Sequence, residues 1–288
     1  LIWIPANTFD NCWKNKKGKK MQRHYNVPGL INFRDLGDYA ARDLAGNPRR
    51  VKSGVLFRAG HFHDVDTTAH NVLVDLGIQQ VFDFRTAREL DKKPSRLQLL
   101  PAPVTHWLEL DPGSGNTFKA MVKPVGGATL TASEMKAMMA DVNRSLVTDH
   151  ADVYRRFLSG LLENPVCSVM HCASGKDRTG IAAALLLSAL GVDRDTIIAD
   201  YLLTNQCLDV QHHVARAMAD FGNQPLAMFD AAALTAMYEV QPEYLQAAFD
   251  AIDSQWGSID NYLQDQLGIG VAERQQLQQH YLTKPSIT

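Results

Sequence analysis

The chain has 288 residues, 45% of them hydrophobic, enough for one large domain with a real core or for two small ones. A formal charge of -2 excludes a global basic field of the kind that holds nucleic acid or an anionic membrane, so any anion site must be local. The four cysteines, Cys12, Cys167, Cys172 and Cys207, show neither close paired spacing nor neighbouring histidine clusters, which argues against a zinc site or a disulfide framework and for free thiols.

In chain order, a short apolar start, Leu1 to Pro5, precedes Lys14, Lys16, Lys17, Lys19 and Lys20, the reverse of a secretory signal. Residues 1–22 are therefore expected to be a disordered extension or tag, with Met21 as a candidate start, and residues 23–288 a single catalytic domain. A basic tail touching acidic lipid or protein is the second reading of that segment. From about Asn26 the pattern turns α/β. Val55–Arg58, Gln80–Phe84, Val104–Leu110 and Val166–His171 read as strands, and Thr67–Leu76 as a helix with Asp66 or Thr67 as N-cap and Gly77 as its stop. Between Asp111 and about His150 the glycines Gly113, Gly115, Gly126 and Gly127 suggest a long loop. Met135, Met138 and Met139 add an adaptable apolar face, either a substrate lid or a helix on the core. After Gly180 the chain reads as almost entirely helical. Its longest apolar run, Ile181 to Leu190, is too short to span a bilayer.

The chemistry concentrates at His171-Cys172-Ala173-Ser174-Gly175-Lys176-Asp177-Arg178-Thr179-Gly180. An apolar strand runs into this segment and an apolar helix runs out of it. A strand-to-helix loop turns successive backbone N–H groups inward, and the helix N-terminus adds partial positive charge, so Ala173, Ser174 and Gly175 can hold a phosphate without bulk basicity. Arg178 supplies a planar fork for two oxygens, and the same field favours the Cys172 thiolate as an in-line nucleophile. Thr179 is expected to donate to the cysteine sulfur, His171 to orient the loop from behind, and Lys176 to add a second positive charge at the rim. A leaving oxygen needs a proton. Asp177 is the economical acid, with a helix-start carboxylate as its alternative reading; Asp83, which otherwise reads as a supporting residue, Asp111 and Asp141 are further candidates for the acid.

These residues resemble the atypical bacterial tyrosine phosphatases with a His-Cys-x-x-Gly-Lys-Asp-Arg-Thr-Gly loop, related to secreted virulence phosphatases. The likeness extends to Asn32-Phe33-Arg34-Asp35-Leu36-Gly37, Phe57-Arg58-Ala59-Gly60, Phe82-Asp83-Phe84-Arg85-Thr86 with Glu89, Asp200-Tyr201-Leu202-Leu203 and Gly257-Ser258-Ile259-Asp260-Asn261-Tyr262. Asp38 stands where the family usually has a second Gly, and Ala59 where it usually has Ser. The resemblance implies a cysteine phosphatase fold of the α/β class, with a central, mostly parallel four- to five-stranded sheet flanked by helices, a helical C-terminal half and a helical lid. It also implies Cys172 as nucleophile, Arg178 as phosphate clamp, Asp177 as acid, and Lys176 as a contact for a lipid headgroup. The expected substrates are phosphotyrosine proteins, phosphoserine or phosphothreonine proteins, and phosphoinositides. No cofactor, metal or nucleic acid is expected. Location is expected to be cytoplasmic, or export without a signal peptide. Two other classes compete: a sulfurtransferase or arsenate reductase using a similar thiol loop, and a non-catalytic phospho-binding module. A metal reading of His61-Phe62-His63-Asp64 and a disulfide between Cys167 and Cys172 are weaker, for want of further ligands and of suitable geometry.

Overall fold

Short runs of apolar residues with almost no polar alternation are the mark of strands covered on both faces, and Leu56–Ala59, Gln80–Asp83 and Ser168–His171 lie there, whereas Val104–Trp107 is a largely exposed edge strand. The computed structural model describes residues 25, 27–113, 130–221 and 231–284. The extension expected over residues 1–22, and Gly115, Gly126 and Gly127, fall outside them. The central sheet has the order β1-β4-β7-β5-β6, with β1 (Arg34–Asp35), β4 (Leu56–Ala59), β5 (Gln80–Asp83), β6 (Val104–Trp107) and β7 (Ser168–His171). Only β1 runs antiparallel to its neighbour. A separate hairpin pairs β2 (Ala40–Arg42) with β3 (Pro48–Arg50). Every residue of β4, β5 and β7 is buried.

Register brings the four parallel strands to one edge: Ala59 pairs with His171, His171 with Asp83, and Asp83 with Trp107. Ligands of open parallel sheets bind outside such carboxyl ends, and β7 sits in the middle of this one. One face packs a cluster including Phe33, Phe57, Phe62, Leu73, Val81 and Val169. The other packs the larger core, which includes Phe84, Tyr154, Phe157, Leu186 and Tyr262.

The helices begin and end where side chains satisfy their free backbone groups. α1 (Thr67–Leu76) is capped by Asp66, whose Oδ1 accepts from the Ala69 N–H at 2.9 Å, and stops at Gly77 with φ 73°. α2 (Ala87–Lys92) opens with a capping box between Thr86 and Glu89. The Met-rich stretch is a helix on the core, the second of its two readings: α3 (Ala132–Thr148), started by a second capping box between Thr131 and Glu134. Met135, Met138 and Met139 are buried in the main core, so this face packs on the body of the protein. α4 (Ala151–Glu163) follows, and then α5 (Asp177–Ala189), which is buried along nearly its whole length. The described residues that follow are mostly helical, as expected: α6 (Arg194–Leu202), α7 (Thr204–Cys207), α8 (Val210–Phe221), α9 (Ala231–Tyr238), α10 (Pro242–Trp256), α11 (Ile259–Asp265) and α12 (Val271–Tyr281). Among the described residues no helix is long and apolar enough to cross a membrane.

Candidate active site

Strand β7 ends at His171 and α5 starts at Asp177, leaving residues 172–176 as the loop between them. Its carbonyls are held from outside. Ala173 O accepts from the His61 N–H at 3.0 Å, Ser174 O and Gly175 O accept from Asn32 Nδ2 at 3.1 and 2.8 Å, and Gly175 O also accepts from Arg58 Nη2 at 2.8 Å. Across a planar peptide the C=O and the following N–H point opposite ways, so carbonyls pulled outward aim the N–H groups of the next residues inward. Gly175 makes the curl passable. Its φ is +69°, and a Cβ there would lie 2.4 Å from Ala59 O. Gly180 serves packing instead: a Cβ would meet the Tyr201 ring at 2.8 Å.

Behind the loop is a buried ionic frame that the sequence motifs did not explain. Asp200 Oδ1 accepts from Arg34 Nε at 3.1 Å and from the Tyr39 hydroxyl at 2.9 Å, and its Oδ2 accepts from Arg58 Nη1 at 2.7 Å. Arg34 also donates to Asn32 Oδ1, which orients that amide toward the loop. Burial alone would raise the Asp200 carboxyl, but Arg34 and Arg58 hold it far below the usual carboxylate range. Asn32, Arg34, Arg58 and Asp200 thus brace the loop's outer side. Asp35 ties the same region, accepting from the Gly37 and Gly54 N–H groups at 2.8 and 2.7 Å.

Cys172 is 2% exposed at the start of the loop, and Arg178 lies in the first turn of α5. Arg178 is gripped along one edge. Nη1 and Nη2 each donate to a Glu89 oxygen at 2.6 Å, and Nη1 also approaches Phe84 O and Leu110 O, both at 3.2 Å. Desolvation opposes its charge, yet Glu89 and Cys172 hold the guanidinium above its already high usual range. Glu89 is ionised by the same contact, against its own burial. It was legible only as a family position; its role depends on a partner 89 residues away.

The other expected residues separate. His171 is fully buried, with Nε2 3.4 Å from Asp83 Oδ2, and burial lowers its pKa against the pull of Asp83. Asp83 in turn receives Arg85, whose Nε and Nη2 lie 2.9 and 2.7 Å from its oxygens. Burial works against its ionisation, but His171 and Arg85 keep it below the usual range. This locked pair supports the strand end. Asp177 lies at the loop: Oδ1 is 3.3 Å from the Tyr201 hydroxyl and 3.4 Å from Asn143 Nδ2, and Oδ2 is 3.5 Å from Lys176 Nζ. Burial, aided by Asp177, pushes the Tyr201 hydroxyl well up, so it stays a donor. Asp141 pairs with Arg144 on the exposed side of α3, and exposed Asp111 accepts from the Gly113 N–H at 3.1 Å.

Two placements correct the expectations. Lys176 is not at the rim. It is 4% exposed, and its Nζ donates to the Met237 carbonyl and, at 3.3 Å, to that of Glu239, because the C-terminal end of α9 supplies the acceptors that a buried ammonium needs. Thr179 Oγ1 is buried and makes no hydrogen bond, so the expected bond to the Cys172 sulfur is not formed; a thiol sulfur is a weak acceptor. Cys167 Sγ instead approaches Gly54 O at 3.5 Å and Leu76 O at 3.4 Å, away from any disulfide. His61 Nε2 faces Lys93 Nζ and His63 Nδ1 faces Pro94 O, both at 2.9 Å. Among the described residues no group of three or more His, Cys, Asp or Glu converges as metal ligands would.

Residues 25–283 match the tyrosine phosphatase family. The chain belongs to that family. It is 36% identical over 254 residues to a candidate tyrosine-protein phosphatase of Cupriavidus necator, covering 88% of this chain and 86% of the relative. It is 30% identical over 266 residues to the triple specificity protein phosphatase PtpB of Mycobacterium tuberculosis, covering 83% and 92%. A crystal structure of kinase associated phosphatase, its catalytic-site cysteine replaced by serine, covers 69% of this chain and 99% of its own at a TM-score of 0.32 and 15% identity. The resemblance read from the loop and its companion motifs is therefore borne out, and the chain is a protein-tyrosine phosphatase.

Proposed function

We propose that this phosphatase works through a phosphocysteine on Cys172, within a single catalytic domain spanning residues 23–288. The observation that carries the reading is the set of loop carbonyls drawn outward by His61, Asn32 and Arg58, which leaves inward N–H groups for a phosphate above Cys172. Arg178 fits this role because Glu89 takes one edge of its guanidinium. The edge carrying Nε and the second Nη2 hydrogen remains for two phosphate oxygens.

The Cys172 thiolate attacks phosphorus, forming an S–P bond as the bond to the leaving oxygen breaks. Asp177 gives that oxygen its proton. Water then attacks the phosphocysteine, the S–P bond breaks, Asp177 takes the water's proton, and inorganic phosphate leaves with the thiolate restored. The Thr179 hydroxyl, one residue after Arg178, is buried without a partner and is the donor proposed to turn to the sulfur once it is a thiolate. Asp177→Asn tests the acid: kcat/KM, which reports transfer to Cys172 and not the later hydrolysis, should fall about 100-fold for esters with poor leaving groups and much less for p-nitrophenyl phosphate. Equal losses on both would remove Asp177 from the acid role.

Phosphotyrosine is the first substrate class. The triple-specificity relative favours extending the reading to phosphoserine, phosphothreonine and inositol lipids carrying a phosphomonoester. Side-by-side rates on phosphotyrosine peptides, phosphoserine/threonine peptides and mono- and bis-phosphorylated inositol lipids test this range. Turnover of phosphotyrosine and of at least one lipid is expected; activity on peptides alone would discard the lipid reading.

A further inference from the structure

With Lys176 buried against α9, the positive charge beside the open side of the loop comes from elsewhere. The less buried arc of the loop is Ala173–Ser174, and the turn holding it is that of residues 60–63, through His61 N–H to Ala173 O. Residues 93–96 are strapped onto this turn. Arg96 N–H donates to Phe62 O at 2.9 Å, Lys93 Nζ donates to His61 Nε2 at 2.9 Å, and Arg85 Nη1 fixes the Lys93 carbonyl at 2.7 Å. Burial and the nearby Lys93 push His61 down to about 4, so near neutral pH it offers Lys93 an acceptor but no countercharge.

Residues 88–96 carry Arg88, Lys92, Lys93 and Arg96 against two carboxylates, Glu89 and Asp91. Glu89 is committed to Arg178. Among the described residues none of the four cations is in an ion pair, whereas Arg49 pairs with Asp43, Arg50 with Asp38, Arg194 with Asp253 and Arg274 with Asp260; Arg42, Arg155 and Arg156 also lack a carboxylate partner, but they do not form a run of four. In a chain of net charge -2, Arg88, Lys92, Lys93 and Arg96 against Asp91 leave a net positive strip at the edge of the anion site. No large apolar side chain is exposed between residues 88 and 96, so the strip lacks the wedge with which surface segments enter a bilayer.

We propose that this strip is a docking surface for acidic residues flanking the phosphorylated residue of a peptide substrate. The inference rests on the phosphatase reading of Cys172. Lysine heads suit single carboxylates as point charges, and the strip raises encounter rates by steering acidic chains toward the loop.

The test uses the full chain with two phosphotyrosine peptides that differ only in flanks, Asp-Glu in one and Asn-Gln in the other, and with vesicles holding a singly phosphorylated inositol lipid. Wild type should favour the acidic peptide about tenfold in kcat/KM at low salt, and less as ionic strength rises. Lys92→Gln/Lys93→Gln should erase that preference, and Lys92→Arg/Lys93→Arg, which keeps charge, should retain it. Equal rates of wild type on the two peptides, or an unchanged preference in the Gln variant, would overturn the inference. So would a loss confined to the vesicles, which would make the strip a membrane contact. Failure of the underlying reading is separable: Cys172→Ser would then still turn over either peptide.

Discussion

Glu89 holds two positions at once, closing the Thr86 capping box of α2 and gripping Arg178 by two bonds of 2.6 Å. In the proposed mechanism it is a positioning residue, because it would reach substrate only through the arginine. Glu89→Gln keeps a polar group of similar shape but loses one acceptor and the charge, leaving the guanidinium free to turn. The expected outcome is a fall of about 100-fold in kcat/KM. Weaker tungstate binding at an unchanged fold, by calorimetry and circular dichroism, would distinguish this from general damage. At the same scale, Asp38 has φ 64°, which explains why a glycine suits its position; its ion pair with Arg50 at 2.6 Å is what this chain has there instead.

At the scale of elements, the parallel sheet and the helices were readable where a local rule decides them. Asp66 and Gly77 bound α1 as capping chemistry requires, and the strands ran apolar because both faces are covered. What local pattern could not give was the partner of a side chain across the fold. Lys176 reads as a solvated or rim lysine until the carbonyls 61 and 63 residues further on are brought beside it. The same limit applies to Asn32, Arg34, Arg58 and Asp200, whose motifs were visible as family likeness while their common task behind the loop was not. Lys176→Met should therefore release the end of α9, with faster amide exchange in residues 231–238 and little change in the central strands. Gly175→Ala imposes a left-handed alanine and a collision with Ala59 O, so stability should drop by at least about 1–2 kcal/mol in denaturant unfolding.

For the molecule as a whole, the buried frame links the N-terminal motifs, the loop and the C-terminal helices through one carboxylate. Asp200→Asn removes the counterion of two buried guanidinium groups and should destabilise the fold by about 3–5 kcal/mol. Its pKa in the folded state lies below that of the unfolded chain, so its contribution is full above about pH 4 and is lost as pH falls through the folded value. His61 acts in the same direction over a higher window. Depressed to about 4, it stabilises fully above its unfolded value near 6.5 and loses that contribution as pH drops from there toward 4. Melting temperature should fall between pH 7 and pH 4, and by less in His61→Gln; an equal fall in both would remove His61 from that window.

Catalysis is proposed to run through a covalent phosphocysteine at Cys172. Asp177→Asn should slow hydrolysis of the intermediate, so acid quenching during turnover of p-nitrophenyl phosphate followed by peptide mass spectrometry reads it directly. One added phosphoryl group on the peptide containing Cys172, absent in Cys172→Ser, is the predicted result. Steady turnover with no phosphoryl group on Cys172 at any quench time, or turnover that survives Cys172→Ser, would contradict it.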